Sequence, residues 1–197
     1  ITKADGLSQL SVFDIKKDQD GFYWLATAGG LYRFDGLKLK KFEFGNDESD
    51  ESASHFARCI QLDNQGGLWV GTQRGLLYKE PHKNAVTAIP AFAGQIIWSV
   101  FVYNENELLI STQDSLWRYD YVTQQKKKLS SFGKIKSVVQ SHDTLILGTF
   151  SEGLVSLDMR SYAKKKVSSF GIKINKIKAF NDHIYIASST GLYKVDD

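Results

Sequence analysis

An all-β fold, a β-propeller of about five four-stranded antiparallel blades, is predicted by three observations on this 197-residue sequence. One motif recurs five times, each copy is made of short β-branched and aromatic runs, and tight-turn pairs such as Asp20-Gly21 and Gly29-Gly30 separate the runs. Repeats of about 40 residues with four strands each cannot hide both faces alone, so they stack on their neighbours. The five copies either close on themselves or form an arc of a larger ring.

The fullest copy is Gly21 to Gly36, GFYWLATAGGLYRFDG. Related runs are LWVGTQRGLLYKE from Leu68, LLISTQDSLWRYD from Leu108, LILGTFSEGLVSLD from Leu145 and IYIASSTGLYKVD from Ile184. Aligned on a hydroxyl residue, the anchors are Thr27, Thr72, Thr112, Thr149 and Ser188, with periods of 45, 40, 37 and 39 residues. The chain therefore reads as one propeller-type domain over 1–197, with repeats near 9–45, 54–90, 95–130, 134–168 and 172–197. The last repeat stops one strand short, and residues 1–4 are a candidate for the missing strand.

In the first repeat SVFDIKKD, FYWLATA, LYRFD and LKLKKFEF are the four expected strands. The acidic linker GNDESDESAS that follows accounts for the longest period and reads as a solvated loop. Its Asp47, Glu48, Asp50 and Glu51 are hard oxygen donors, but the spacing and turn glycine of a calcium loop are missing. Every first strand carries an apolar pair three residues apart: Val12 and Ile15, Ala57 and Ile60, Ile97 and Val100, Ile135 and Val138, Ile174 and Ile177. A spacing of three suits a helix, yet the next strand follows too soon for one. Small residues precede the anchors (Ala26, Gly71, Ser111, Gly148, Ala187), as a crowded strand requires, and the anchor hydroxyl is expected to bond backbone nearby.

Composition bounds the function. The net charge of +3 falls well short of a nucleic-acid surface. A single cysteine, Cys59, rules out an internal disulfide and a multi-cysteine metal site, and its place in FARCIQL marks it as buried filler. No run of about 18 apolar residues exists for a spanning helix, and the opening ITKADGLS lacks the features of a signal peptide, so the chain is expected to be a piece of a longer protein. No metal or cofactor is expected. The histidines are assigned to turns, His142 and His183 in first hairpins and His82 in Pro81-His82-Lys83-Asn84. Lys38, Lys40 and Lys41, Lys126 to Lys128, and Lys164 to Lys166 fall on the outermost strand, where lysine blocks edge-to-edge pairing.

The run from Asp5 to Gly36 resembles the two-component-regulator propeller repeat through Asp5-Gly6-Leu7-Ser8, Asp18, Gly21, Trp24, Thr27, Gly30-Leu31 and Asp35-Gly36. Repeat two matches it through Asp63, Gly66 or Gly67, Trp69-Val70-Gly71-Thr72 and Gly75-Leu76, while repeats three to five are degenerate. The resemblance implies the periplasmic or extracellular sensory region of an inner-membrane signalling receptor, such as a hybrid histidine kinase or a cyclic-dinucleotide enzyme. It implies no catalysis in this segment, and the repeat residues themselves are structural. Expected partners are a small polar ligand or other domains of the same receptor, with homodimerisation compatible; nucleic acid and direct membrane insertion are not expected. The alternative is a propeller enzyme acting on glycans, lyase or sialidase-like, but the Asp-box spacing is absent and Arg33, Arg58, Arg74, Arg118 and Arg160 do not fit a single arginine cluster.

Propeller ligands sit over the loops that lead into the first strand and join the second to the third. Those loops and the positions inside the apolar pair nominate His55, Arg58, Arg74, Gln95, Trp98, Gln113, Lys134 and Lys173 as ligand-binding residues.

Overall fold

The computed structural model describes residues 2, 5–44, 56–168, 173–181 and 183–196. The acidic linker, His55 and Asp182 lie outside these residues, as do Ile1 and Lys3, on which the completion of the last blade would rest.

The fold is all-β, a succession of antiparallel propeller-type blades. The first contains β1 (Val12–Lys17), β2 (Tyr23–Thr27), β3 (Gly30–Phe34) and β4 (Leu39–Phe42). The second contains β5 (Ala57–Leu62), β6 (Leu68–Thr72), β7 (Leu76–Lys79) and β8 (Val86–Ala88), followed by a 3-10 turn at Pro90–Phe92. The third contains β9 (Ser99–Val102), β10 (Glu107–Ser111), β11 (Ser115–Asp120) and β12 (Gln125–Ser131). The fourth contains β13 (Ile135–Ser141), β14 (Thr144–Thr149), β15 (Leu154–Asp158) and β16 (Lys164–Ser168), and the last β17 (Ile174–Phe180), β18 (His183–Ser188) and β19 (Gly191–Asp196). Strands pair in chain order, so the lysine-rich β4, β12 and β16 are edge strands. His183 opens β18 and is not in the turn before it, because its partner Phe180 extends the ladder by one pair.

Two compact units divide the chain. One comprises Ile1–Ile110 with Tyr119–Lys126, the other Ser111–Arg118 with Lys127–Asp197.

The apolar pair owes its odd spacing to a β-bulge. Ala57 pairs with Thr72 and Cys59 with Gly71, so Arg58 is the extra residue and Ala57 and Ile60 come to one face. The same register shift leaves out Phe13 in β1, Lys136 in β13 and Asn175 in β17. In a regular strand residues three apart point to opposite faces; one inserted residue restores them to the same side.

That shared face is buried against the preceding blade's small residue. In the first unit Ala26 joins Ala57 and Ile60 in one core cluster with Trp24, Leu31, Phe42, Leu68 and Val70. A Cβ on Gly71 would sit 2.4 Å from Cys59 Sγ and 2.7 Å from Ile97 Cγ2, which makes glycine obligatory there. In the second unit a Cβ on Gly148 would lie 2.6 Å from Ile174 Cγ2, and Ser111 Oγ instead accepts a bond from Ile135 N at 3.1 Å. Val12 and Ile15 depart from this pattern at 37% and 55% exposure.

The anchor hydroxyl behaves as expected from the sequence. Thr27, Thr72, Thr112 and Thr149 are buried and donate to the carbonyls of Gly30, Gly75, Ser115 and Gly153 at 2.9, 2.8, 3.2 and 2.9 Å. Ser188 makes the same bond to Gly191 at 3.2 Å. The oxygen also accepts from a turn N–H, that of Gly29, Arg74, Glu152 or Thr190. Each second hairpin is thereby locked around one side chain.

The first hairpins of repeats one and two use a carboxylate. Asp18 accepts from Phe22 N at 2.9 Å and from the indole of Trp24 at 2.7 Å. Asp63 accepts from Gly67 N at 2.7 Å, but there the second donor is the Tyr78 hydroxyl at 3.1 Å, and the Trp69 indole stacks on Tyr78 at 4.3 Å.

Two outcomes test this framework. Thr149→Val keeps the shape and removes both hydroxyl bonds, and should lower unfolding free energy by about 1–2 kcal/mol in urea denaturation; an unchanged midpoint would refute the clasp. Burial, followed by the Asp63 carboxylate, pushes the Tyr78 pKa above its ordinary 10.0. The folded state therefore holds this proton more tightly, so the associated stability is full below pH 10.0 and is lost as pH rises toward the folded value. Urea midpoints should fall above about pH 10, and Tyr78→Phe should flatten that decline.

Candidate functional site

The bulge projects its extra residue beside the anchor, and the loops on either side are tied to each other there. The N–H just after the anchor donates to the carbonyl just before the apolar pair: Ala28 to Ser11 at 3.1 Å, Gln73 to Phe56 at 3.3 Å, Phe150 to Lys134 at 2.8 Å and Ser189 to Lys173 at 3.0 Å. Three variable positions are thus held together at one end of these four blades: the residue before the pair, the bulged residue and the residue after the anchor.

In the first unit these positions build a stack. Phe13 and Phe56 lie parallel, 4.7 Å between centroids and 25° between planes. The Arg58 guanidinium sits 4.7 Å from the Phe56 ring and 4.2 Å from the Trp98 ring, between the two. A guanidinium is weakly hydrated and planar, which suits it to this slot. Its Nε is buried without a hydrogen-bond partner among the described residues, and burial lowers the pKa of the group. Arg74 is exposed, with its N–H on Thr72 Oγ and its carbonyl accepting from Gly94 N at 2.7 Å. Gln95 is half-buried, 3.5 Å from the Ala91 carbonyl.

In the second unit the same positions are cationic. Lys134, Lys136 and Lys173 place their ammonium groups 5.4, 5.5 and 4.9 Å from the centroid of Phe150. Lys136 also donates to Asn175 Oδ1, bulged residue to bulged residue, at 3.2 Å. Gln113 is exposed in the turn after β10. Of the nominated residues, then, Arg58 and Trp98 meet in one unit and Lys134 and Lys173 in the other.

Phe56 and Phe150 were not nominated, although each arrangement depends on its ring. The available signal was positional: they occupy the columns flanking the pair and the anchor, where the five copies differ most. Among the described residues no group of three His, Cys, Asp or Glu side chains could hold a metal. Asp5, Asp35 and Asp158 have lowered pKa values because the turn N–H groups of Thr2, Lys38 and Ser161 bond them, a structural cause.

Bulged four-stranded blades with clasped second hairpins define a propeller repeat protein, and comparison narrows the kind of repeat. Residues 51–74 match the family described as two component regulator propeller. The match falls on the second copy, although the first carries the longer run of motif residues. Histidine kinase P4 of Formosa agariphila is 45% identical over 53 residues, 27% of this chain and 4% of that protein. The extracellular domain of BT3049 from B. thetaiotaomicron, described as a hybrid two component system, superposes with a TM-score of 0.84 at 20% identity, covering 100% of this chain and 30% of that one. Virginiamycin B lyase of Staphylococcus aureus gives 0.69 at 13% identity, covering 93% of this chain and 64% of the lyase. This chain is similar to a small share of the two signalling proteins, and its similarity to the solved structures is one of fold.

Arg58→Ala should destabilise the first unit by about 1 kcal/mol, through lost cation–π contact and stem packing, and shift tryptophan fluorescence. Unchanged urea unfolding and emission would show that the stack carries no energy.

Proposed function

We propose that this chain is an extracytoplasmic, ligand-receiving sensory segment of a bacterial membrane receptor, with no catalysis of its own. The observation that carries this reading is the register of variable side chains held by a backbone tie that recurs in four blades. A repeated scaffold presents aromatic, guanidinium and ammonium groups at one end of successive blades, which is the form of a recognition surface. The similarity to an extracellular receptor domain and to a stretch of a histidine kinase supports it.

Catalysis needs groups that converge on a reacting atom with pKa values matched to proton transfer. The side chains assembled at the bulges are cations and aromatics, and the displaced carboxylates belong to turns. The lyase shares the blade architecture at 13% identity, and architecture alone does not transfer an activity.

A thermal-shift screen of sugars, amino acids and organic acids tests the reading, since a ligand that binds only the folded chain raises its melting temperature. The expected result is a hit whose signalling response in the full receptor is lost when Arg74 and Trp98 are both replaced by alanine. A response unaltered by those changes and by alanine at Lys134 and Lys173, or turnover of a glycan by the chain, would overturn it.

A further inference from the structure

The second unit gathers three ammonium groups around one phenyl ring, and nothing in the repeat architecture requires this. Lys134 and Lys173 hold the same repeat position, and Lys136 is the bulged residue of β13. With each ammonium within 5.5 Å of the Phe150 centroid, no two are farther apart than about 11 Å. That upper bound only modestly exceeds the screening length of roughly 8 Å at physiological salt, so the nearer ammonium groups raise the potential felt by one another. Crowding like charges disfavours the folded chain unless something offsets it.

The carboxylate of the Phe150 loop is engaged elsewhere. Glu152, on the same loop as Phe150, pairs instead with Lys164 of β16. Lys136 spends a donor on the neutral amide of Asn175. Lys173 is exposed, with the ring of Phe150 as its contact and no carboxylate partner among the described residues. The backbone bonds from Phe150 to Lys134 and from Ser189 to Lys173 hold the loop ends in place, so the cluster is positioned before any ligand arrives. A Cβ on Gly133 would collide with Ser151 Oγ at 2.6 Å; glycine there lets Ser151 settle beside the cluster as a neutral hydroxyl.

From these groups we infer that Lys134, Lys136, Lys173 and Phe150 form a binding site for a polyanion, a ligand with two or more carboxylate, sulfate or phosphate groups spaced across a small body. Three separate point charges match several oxyanion groups better than one, and the ring edge offers an apolar surface to the ligand's carbon skeleton. This deepens the sensory reading and rests on it for the biological consequence only; binding itself does not depend on it.

Calorimetric titration of the 197-residue chain with citrate, tripolyphosphate and trigalacturonate, and with maltotriose as the neutral counterpart, tests the site. At least one of the three anions should bind and maltotriose should not, and which anion is preferred separates small organic acids, phosphates and acidic glycans as the source. Joint replacement of Lys134, Lys136 and Lys173 by glutamine should weaken binding at least tenfold. Because that variant could fold poorly, Lys173→Gln alone should weaken it two- to fivefold with an unchanged melting temperature. Replacing Lys165 and Lys166 by glutamine, which leaves the Lys164–Glu152 pair intact, should leave affinity within twofold. Absence of binding by all three anions, or equal losses from the edge-strand and cluster variants, overturns the polyanion site while leaving the sensory reading intact. Anion binding by the chain without any response of the full receptor would overturn the sensory reading and leave the site standing.

Discussion

The structure depends on one β-bulge placed next to one hydroxyl. The anchor pairs across the ladder with the first member of the apolar pair, as Thr72 does with Ala57 and Thr149 with Ile135, and the extra residue follows immediately. The bulge does two things at once: it turns both apolar side chains to the neighbouring blade, and it leaves one residue outside the ladder, free to take any chemistry. Packing and variable side-chain chemistry are therefore assigned to adjacent residues of the same strand without conflict.

Blade junctions follow from the same geometry. A branched residue such as Ile97 or Ile174 needs a shallow surface opposite, and Gly71 or Gly148 supplies it by having no Cβ. Where the small residue is Ser111, its hydroxyl bonds the arriving strand at Ile135 N, and Ser137 does so one blade later by donating to the Ile177 carbonyl at 3.0 Å. A buried polar group at a packed junction is tolerated because each of these has a partner. The turn beyond the anchor is tightened by a glycine at positive φ in four copies, Gly30, Gly75, Gly153 and Gly191; the third copy keeps the carbonyl bond with Ser115 in its place.

Lysine appears in two roles that only position separates. On the edge strands the Lys126 ammonium lies over Phe92 and donates to the Ala91 carbonyl, and that of Lys164 lies over Phe132 and pairs with Glu152. At the bulges Lys134, Lys136 and Lys173 converge on a single ring. The first arrangement disperses charge along an edge and the second concentrates it.

Much of this was legible from sequence because repetition exposes what a blade needs. The five anchors, the small residue before each and the apolar pair were all visible in the aligned copies, and so were the all-β class and the structural role of Trp24, Asp18 and the Gly-Leu pairs. Cys59 is buried, as its apolar neighbours indicated. The spacing of three could be noticed but not explained, since a bulge is a property of two strands in register and is invisible in either alone. The nominated residues were legible only as columns of variation: the structure brings Arg58 to Trp98 and Lys134 to Lys173, while the rings of Phe56 and Phe150 that they meet were not nominated. Local pattern determines which residues must be apolar, small or hydroxylated, because strand and turn chemistry act over a few positions. Tertiary structure alone decided that Arg58 lies between Phe56 and Trp98 and that three lysines share Phe150, because those groups come from different repeats and meet only when blades stack.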